Sequence, residues 1–201
     1  TVYFYAIDLA GNIEEMRSVI VDLDVTPPVT TVSLEGSLGL EDWYISNVNV
    51  SLAATDDISE TITTAYSFDG ITWNDYTDEI TIFDEGITII YYNSTDAFGN
   101  VEATKSIAVK IDKTSPETNL TIWPIPVGED SVYVSSTSEF TLVAVDNLLG
   151  SGLDRIEYCV DSGDWVLYQD TFCLAEIGSH VIYYRSFDVA GNEEVAKSLS
   201  V

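Results

Sequence analysis

Apolar and polar residues alternate in short runs along most of this chain, and Gly, Asp and Asn fall between the runs. Over 48–55, Val48, Val50, Leu52 and Ala54 share one face, while Asn49, Ser51 and Thr55 share the other. A period of two marks a strand with one buried face. The runs are rich in Val, Ile, Thr and Tyr, which suit a pleated surface, and no stretch sustains a helical period. Between residues 24 and 111 the pattern predicts strands at 29–34, 48–55, 62–68, 72–76, 79–83, 87–95 and 101–110.

The pattern also repeats. Tyr3-Phe-Tyr-Ala-Ile-Asp8-Leu-Ala-Gly11-Asn12 returns as Tyr91-Tyr-Asn-Ser-Thr-Asp96-Ala-Phe-Gly99-Asn100 and as Tyr183-Tyr-Arg-Ser-Phe-Asp188-Val-Ala-Gly191-Asn192. Asp8 to Asp96 is 88 residues and Asp96 to Asp188 is 92. Asp24-Val-Thr-Pro-Pro28 returns as Asp112-Lys-Thr-Ser-Pro116, the Tyr66/Trp73/Tyr76 group as Tyr158/Trp165/Tyr168, and Asp84-Glu85-Gly86 as Glu176-Ile177-Gly178. Self-similarity at a fixed period marks a repeat architecture. The register makes 24–111 one full repeat and 112–201 a second, with 1–23 as the last two strands of a preceding one. Either the chain is an excerpt of a longer array, or that orphan hairpin completes a neighbouring molecule. Seven short strands per repeat predict an all-β chain of tandem immunoglobulin-like β-sandwiches. The Thr-Pro-Pro segment reads as a stiff linker, because proline fixes φ and restricts the residue before it.

Charge narrows the possible partners. The 201 residues carry 34 Asp and Glu against 7 Lys and Arg, a formal net charge of -27. Such a polyanion is repelled by nucleic acid and by anionic lipid. Yet 46% of residues are hydrophobic and 11% aromatic, which separates the chain from an acidic disordered tail. No apolar run approaches the length of a membrane span. The single His, His180, reads as a surface residue and removes any mechanism needing two imidazoles.

Counting back from each recurring aspartate orients the strand before it. Ser94, Tyr92 and Ile90 precede Asp96 on one face, Ser186, Tyr184 and Ile182 precede Asp188, and Ala6, Phe4 and Val2 precede Asp8. That face is predicted to be core; the opposite face carries Asn93 and Arg185. With these motifs in place, the Asp-x-x-Gly-Asn hairpin, the Tyr-Ser-x-Asp-Gly-x-x-Trp-x-x-Tyr segment and the Thr-Pro-Pro linker resemble the Ig-like repeats of large bacterial and archaeal surface proteins. The resemblance covers both full repeats and the partial one. It implies an extracellular, structural role, and calcium at domain junctions as in related repeats of giant adhesins.

The residues bear on that implication directly. In a sandwich of this topology the linker, the loop after the second strand and the last hairpin meet at one end. This gathers Asp24, Asp56, Asp57 and Asp96 in one repeat, and Asp112, Asp146, Asn147 and Asp188 in the next. Calcium takes roughly six to eight oxygens in a forgiving geometry. The competing reading is that each aspartate bonds only the backbone of its own turn.

Three sequons, at Asn49, Asn93 and Asn119, are candidate glycosylation sites, and the parity points Asn49 and Asn93 outward. Cys159 and Cys173 are read as a disulfide, with a free thiol pair as the alternative. Trp73 and Trp165 suit strand packing better than a sugar-stacking platform. No metalloprotease, nucleophile-elbow or phosphate-loop motif occurs, and the notable acids recur in every repeat, so no catalysis is expected. The expected role is a stalk, surface-layer element or filament of a prokaryotic cell surface, with an archaeal setting favoured. Its expected partners are other copies or repeats and other cell-surface components. The alternatives are a filament subunit donating strands from 1–23 and a carbohydrate-binding accessory module of a secreted hydrolase.

Overall fold

The computed structural model describes residues 1–126 and 132–201, and its regular elements are all β-strands. Residues 1–23 form a hairpin of β1 (Val2–Phe4) and β2 (Arg17–Val19). The next repeat contributes β3 (Val29–Glu35), β4 (Val48–Thr55), β5 (Ile62–Ser67), β6 (Asn74–Asp75), β7 (Ile80–Ile82), β8 (Gly86–Asp96) and β9 (Lys105–Ile111). The last contributes β10 (Glu117–Trp123), β11 (Glu139–Val145), β12 (Leu153–Val160), β13 (Val166–Leu167), β14 (Val181–Asp188) and β15 (Lys197–Ser200). Sheet β3-β4-β7 faces sheet β6-β5-β8-β9, and β10-β11 faces β13-β12-β14-β15. The predicted seven strands of the first full repeat are all present, and an isolated Phe140–Phe172 bridge stands where β7 lies in that repeat.

Burial follows the predicted parity. Val48, Val50, Ile90, Val109 and Ile111 are fully buried between the first pair of sheets, and Phe140 and Ile182 between the second. Residues 101–104 are not strand as expected; the chain bulges there after a Thr95–Val101 bridge and turns Glu102 inward. His180 also departs from expectation, for its side chain is only 13% exposed and its Nδ1 lies 2.9 Å from an Asp161 carboxylate oxygen.

Next to each apolar core lies a buried polar layer. The Glu102 carboxylate accepts the Thr30 N–H (2.9 Å) and hydroxyl (2.6 Å) across the sheets, and is paired with Lys105. The Lys105 ammonium in turn donates to the Thr30 carbonyl (2.9 Å). Glu194 accepts the Thr118 N–H (2.9 Å) and is paired with Lys197, which donates to the Thr118 carbonyl (2.8 Å). Ser94 and Ser186, fully buried, bond the hydroxyls of Thr30 and Thr118 at 2.7 and 2.8 Å. A buried charge is tolerable only when paired and hydrogen-bonded, and here both conditions hold.

The expected Cys159–Cys173 bridge is not formed; both thiols are free. Tyr158 and Val160 point into the core from β12, so Cys159 points away from it. Phe172 and Leu174 point into the core from the opposite sheet, so Cys173 points away on the other side. Sheets pack about 10 Å apart, and disulfide Cβ atoms must approach to about 4 Å. Burial holds the Cys159 thiol above its ordinary value, with Arg185 offsetting only part of the shift. Alkylation of folded, unreduced protein should therefore label Cys173 and spare Cys159 until denaturant is added; an intact mass two hydrogens below the reduced value would contradict this.

Burial pushes Glu194 upward, but the bonds from Thr118, Lys197 and Ser186 outweigh it and hold the carboxyl below the ordinary glutamate value of 4.5. A depressed folded value gives stability that is full above pH 4.5 and is lost as pH falls through the folded value. Glu194→Gln should cost roughly 1–3 kcal/mol at neutral pH. It should also flatten the acid limb of the last sandwich's stability, read by urea denaturation between pH 7 and pH 3.

Candidate cation sites at the repeat junctions

Each Asp-x-x-Gly-Asn segment folds into the same turn. Gly11, Gly99 and Gly191 have φ of +88°, +92° and +94°, the left-handed region where a side chain is strained. The Asp96 carboxylate accepts the N–H of Phe98 (2.9 Å), the N–H of Asn100 (2.8 Å) and its side-chain amide (2.7 Å). Asp188 accepts the corresponding Asn192 N–H and amide at 2.8 and 2.7 Å. The turn asparagines also reach the linkers, donating to the carbonyls of Asp24 (3.4 Å) and Asp112 (3.1 Å). These aspartates therefore do cap their own turns.

They also converge. Oxygens of Asp24, Asp56 and Asp96 all lie within 4.8 Å of one another, as do those of Asp112, Asp146 and Asp188. In each trio the linker aspartate and the turn aspartate are buried and the loop aspartate is half-buried. Asp57 does not join the first trio; it is exposed and accepts the Thr26 hydroxyl at 2.6 Å. Four buried side-chain N or O atoms among the described residues have no hydrogen-bond partner: one oxygen each of Asp24, Asp56, Asp146 and Asn147. All four belong to these two clusters.

No protein cation answers the charge. Lys105 and Lys197 serve the threonine layer, Arg155 and Arg185 pair with Glu157, and Arg17 pairs with Glu14. Lys110 and Lys113 donate to oxygens of Glu41, Asn47 and Phe83. That accounts for all 7 Lys and Arg in the chain. Burial pushes Asp188 above its ordinary value against the bonds from Asn192, and the Asp112 carboxylate adds to the upward shift. In Asp96 burial also pushes upward, but the bonds from Asn100 and Phe98 prevail and the net shift is downward.

The second cluster includes a contribution from the sandwich before it. Glu85, just ahead of β8, accepts the Asn147 amide (2.9 Å), the Lys113 N–H (2.7 Å) and the Thr114 hydroxyl (2.9 Å). Beside it, the Leu40 N–H donates to the Ala190 carbonyl at 2.8 Å. Gly150 lets the loop close on the site, since a Cβ there would fall 2.6 Å from Asp146 Oδ2 and closer still to Asn147 Oδ1. In the sequence Glu85 is marked only as part of the recurring Asp84-Glu85-Gly86 segment, and neither it nor the glutamates of the threonine layer is a candidate site residue there. Glu14, Glu102 and Glu194 nonetheless keep the 88- and 92-residue spacing and were legible by it.

The other candidate residues lie apart. Asn119 is exposed on β10, whereas Asn49 and Asn93 are half-buried, bonded to the hydroxyls of Thr81 (2.9 Å) and Thr104 (3.3 Å). Trp165 has the Arg185 guanidinium 4.1 Å over its ring, so one face of the ring is occupied.

No protein-family model matches the chain, and no curated protein matches it. Among solved structures the chain is similar to the fibronectin(III)-like modules of Clostridium thermocellum CbhA. The identity is 13% and the TM-score 0.38, over 85% of this chain and 92% of that one. It is also similar to the D00-D0 domain of Intimin, at 11% identity and a TM-score of 0.38, over 84% of this chain and 99% of that one. These scores carry no argument about function, and the fold stands on the strand pairing itself.

The clustered charge predicts an inverted mutational effect. In chelator, Asp146→Asn should raise the stability of the last sandwich, by on the order of 1 kcal/mol for relieving one close like-charge contact. The same substitution should weaken any stabilisation by divalent cations. Paired thermal melts with chelator and with calcium would check both signs, and a loss of stability in chelator would show that the carboxylate serves only its turn.

Proposed function

We propose that this chain is a structural module of a tandem-repeat protein at a prokaryotic cell surface, and that each junction holds a calcium ion. One observation carries the reading: the only buried, unpartnered side-chain N and O atoms among the described residues line two matching aspartate trios, each where a linker enters its sandwich. Carboxylate and amide oxygens presented by loops suit a hard cation with flexible coordination. Asp24, Asp56 and Asp96 would hold one ion, and Asp112, Asp146, Asn147 and Asp188 the other. A cation there ties the linker to the loop and the turn of its sandwich. Glu85, bonded to Asn147, carries the tie into the preceding sandwich. The function is then mechanical: the repeats form a stalk whose joints stiffen when calcium is present. Exposed Asn119 is the sequon best placed for a surface glycan. The reading assigns no catalytic residue.

A cation bound only by the folded form stabilises it by RT ln(1 + [L]/Kd), about 2.7 kcal/mol at a hundredfold excess. With Kd on the order of 0.1–1 mM, as for extracellular modules, millimolar calcium should raise the melting temperature, and sodium at equal ionic strength should not. Asp188→Ala should remove the shift from the last sandwich and leave that of the preceding one intact. Identical melts in calcium and in chelator at matched ionic strength would overturn the reading.

A further inference from the structure

The hairpin of residues 1–23 has a face with nothing on it. Val2 is 53% exposed, whereas its counterparts Ile90 and Ile182 are fully buried beneath an opposing sheet. Phe4 is 48% exposed, whereas its counterparts Tyr92 and Tyr184 are buried and half-buried. The hairpin's bulge is already set as in the complete repeats. The Glu14 N–H donates to the Ala6 carbonyl at 2.8 Å, as Glu102 does to Ser94 and Glu194 to Ser186, each at 2.9 Å.

In both complete sandwiches this bulge carries a clamp for a single threonine. The glutamate accepts the threonine's N–H, and the lysine three residues later donates to the same threonine's carbonyl. The threonine hydroxyl closes the network through Glu102 and Ser94 in one repeat and through Ser186 in the other. Each threonine, Thr30 and Thr118, lies two residues after a buried proline on the first strand of its sandwich. Glu14 and Arg17 occupy the clamp positions of the hairpin and, among the described residues, their side chains pair only with each other, at 2.7 Å. The Glu14 side chain is 38% exposed, against 6% for Glu102 and 7% for Glu194.

We propose that this hairpin is a docking surface for a five-stranded open sandwich of the same repeat type. Glu14 and Arg17 select it by gripping the N–H, hydroxyl and carbonyl of a threonine two residues after a proline on its first strand. The apolar face of Val2 and Phe4 supplies burial, and the clamp supplies register, since a slip of one residue would put a side chain of the wrong face against Glu14. Neither of the two sandwiches described here is the occupant, because both already hold their own last two strands in the corresponding groove. The inference needs no cation and stands apart from the junction sites.

The test fuses a duplicate of residues 24–88 directly ahead of Thr1, which keeps the repeat register, and follows hydrogen exchange of the Val2–Ala6 amides. Completion should slow them at least about 100-fold relative to the unfused chain. Glu14→Gln and Thr→Val at the duplicated Thr30 should each reduce that protection, and together by less than the two effects added. Amides that stay as fast as in the unfused chain would overturn the proposal. Protection indifferent to both substitutions would overturn the clamp. Protection in the unfused chain that rises with its concentration would make a second copy the occupant and overturn the proposal as well.

Discussion

Like charge confined at one end of a β-sandwich is the condition around which the rest of each repeat is arranged. Three carboxylates within 4.8 Å repel one another unless donors or a cation answer them. The strands meet this condition by grading their interior. Along β8 the inward positions run from Ile90 and Tyr92 through Ser94 to Asp96, and along β14 from Ile182 and Tyr184 through Ser186 to Asp188. Apolar packing thus gives way to hydroxyls and then to carboxylates, so that no carboxylate of the trio abuts the driest part of the core.

The intermediate layer explains how so acidic a chain stays compact. With 7 cationic side chains for 34 acids, positive charge cannot be spread over the surface to offset repulsion. It is placed instead where it has the greatest effect: Lys105 and Lys197 each join a buried glutamate to the facing sheet's first strand. Arg155 and Arg185 enclose Glu157 on the outer face of the last sandwich and lie over Phe187 and Trp165. Each of these four cations thereby acts twice, once on a carboxylate and once on a carbonyl or a ring.

The alternation of side chains and the 88- and 92-residue spacings made the strands and the convergence of the two aspartate trios legible in the sequence. What they could not convey was which strands share a sheet. Cys159 and Cys173 are neighbours in a linear scheme, yet lie on opposite outer faces because β12 and the segment around Phe172 belong to different sheets. Asp57 adjoins Asp56 in sequence but faces solvent, since neighbouring residues leaving a strand point apart. Glu85 was overlooked for another reason. Its partners Asn147, Lys113 and Thr114 lie in the following repeat, and no pattern within one repeat reveals a contact with the next.

That last contact gives the array a direction. Residue 85 of the first full repeat is a glutamate that receives three donors from its successor, while the matching residue of the last repeat is Ile177, which has no carboxylate to offer and is fully exposed. The two sandwiches share a fold but not a socket, so they are not interchangeable bricks. Exchanging their order would leave Asn147, Lys113 and Thr114 without this acceptor. The order of these two sandwiches is thus written into the one glutamate that the first presents to the second, as the cut of a key is matched to a single lock.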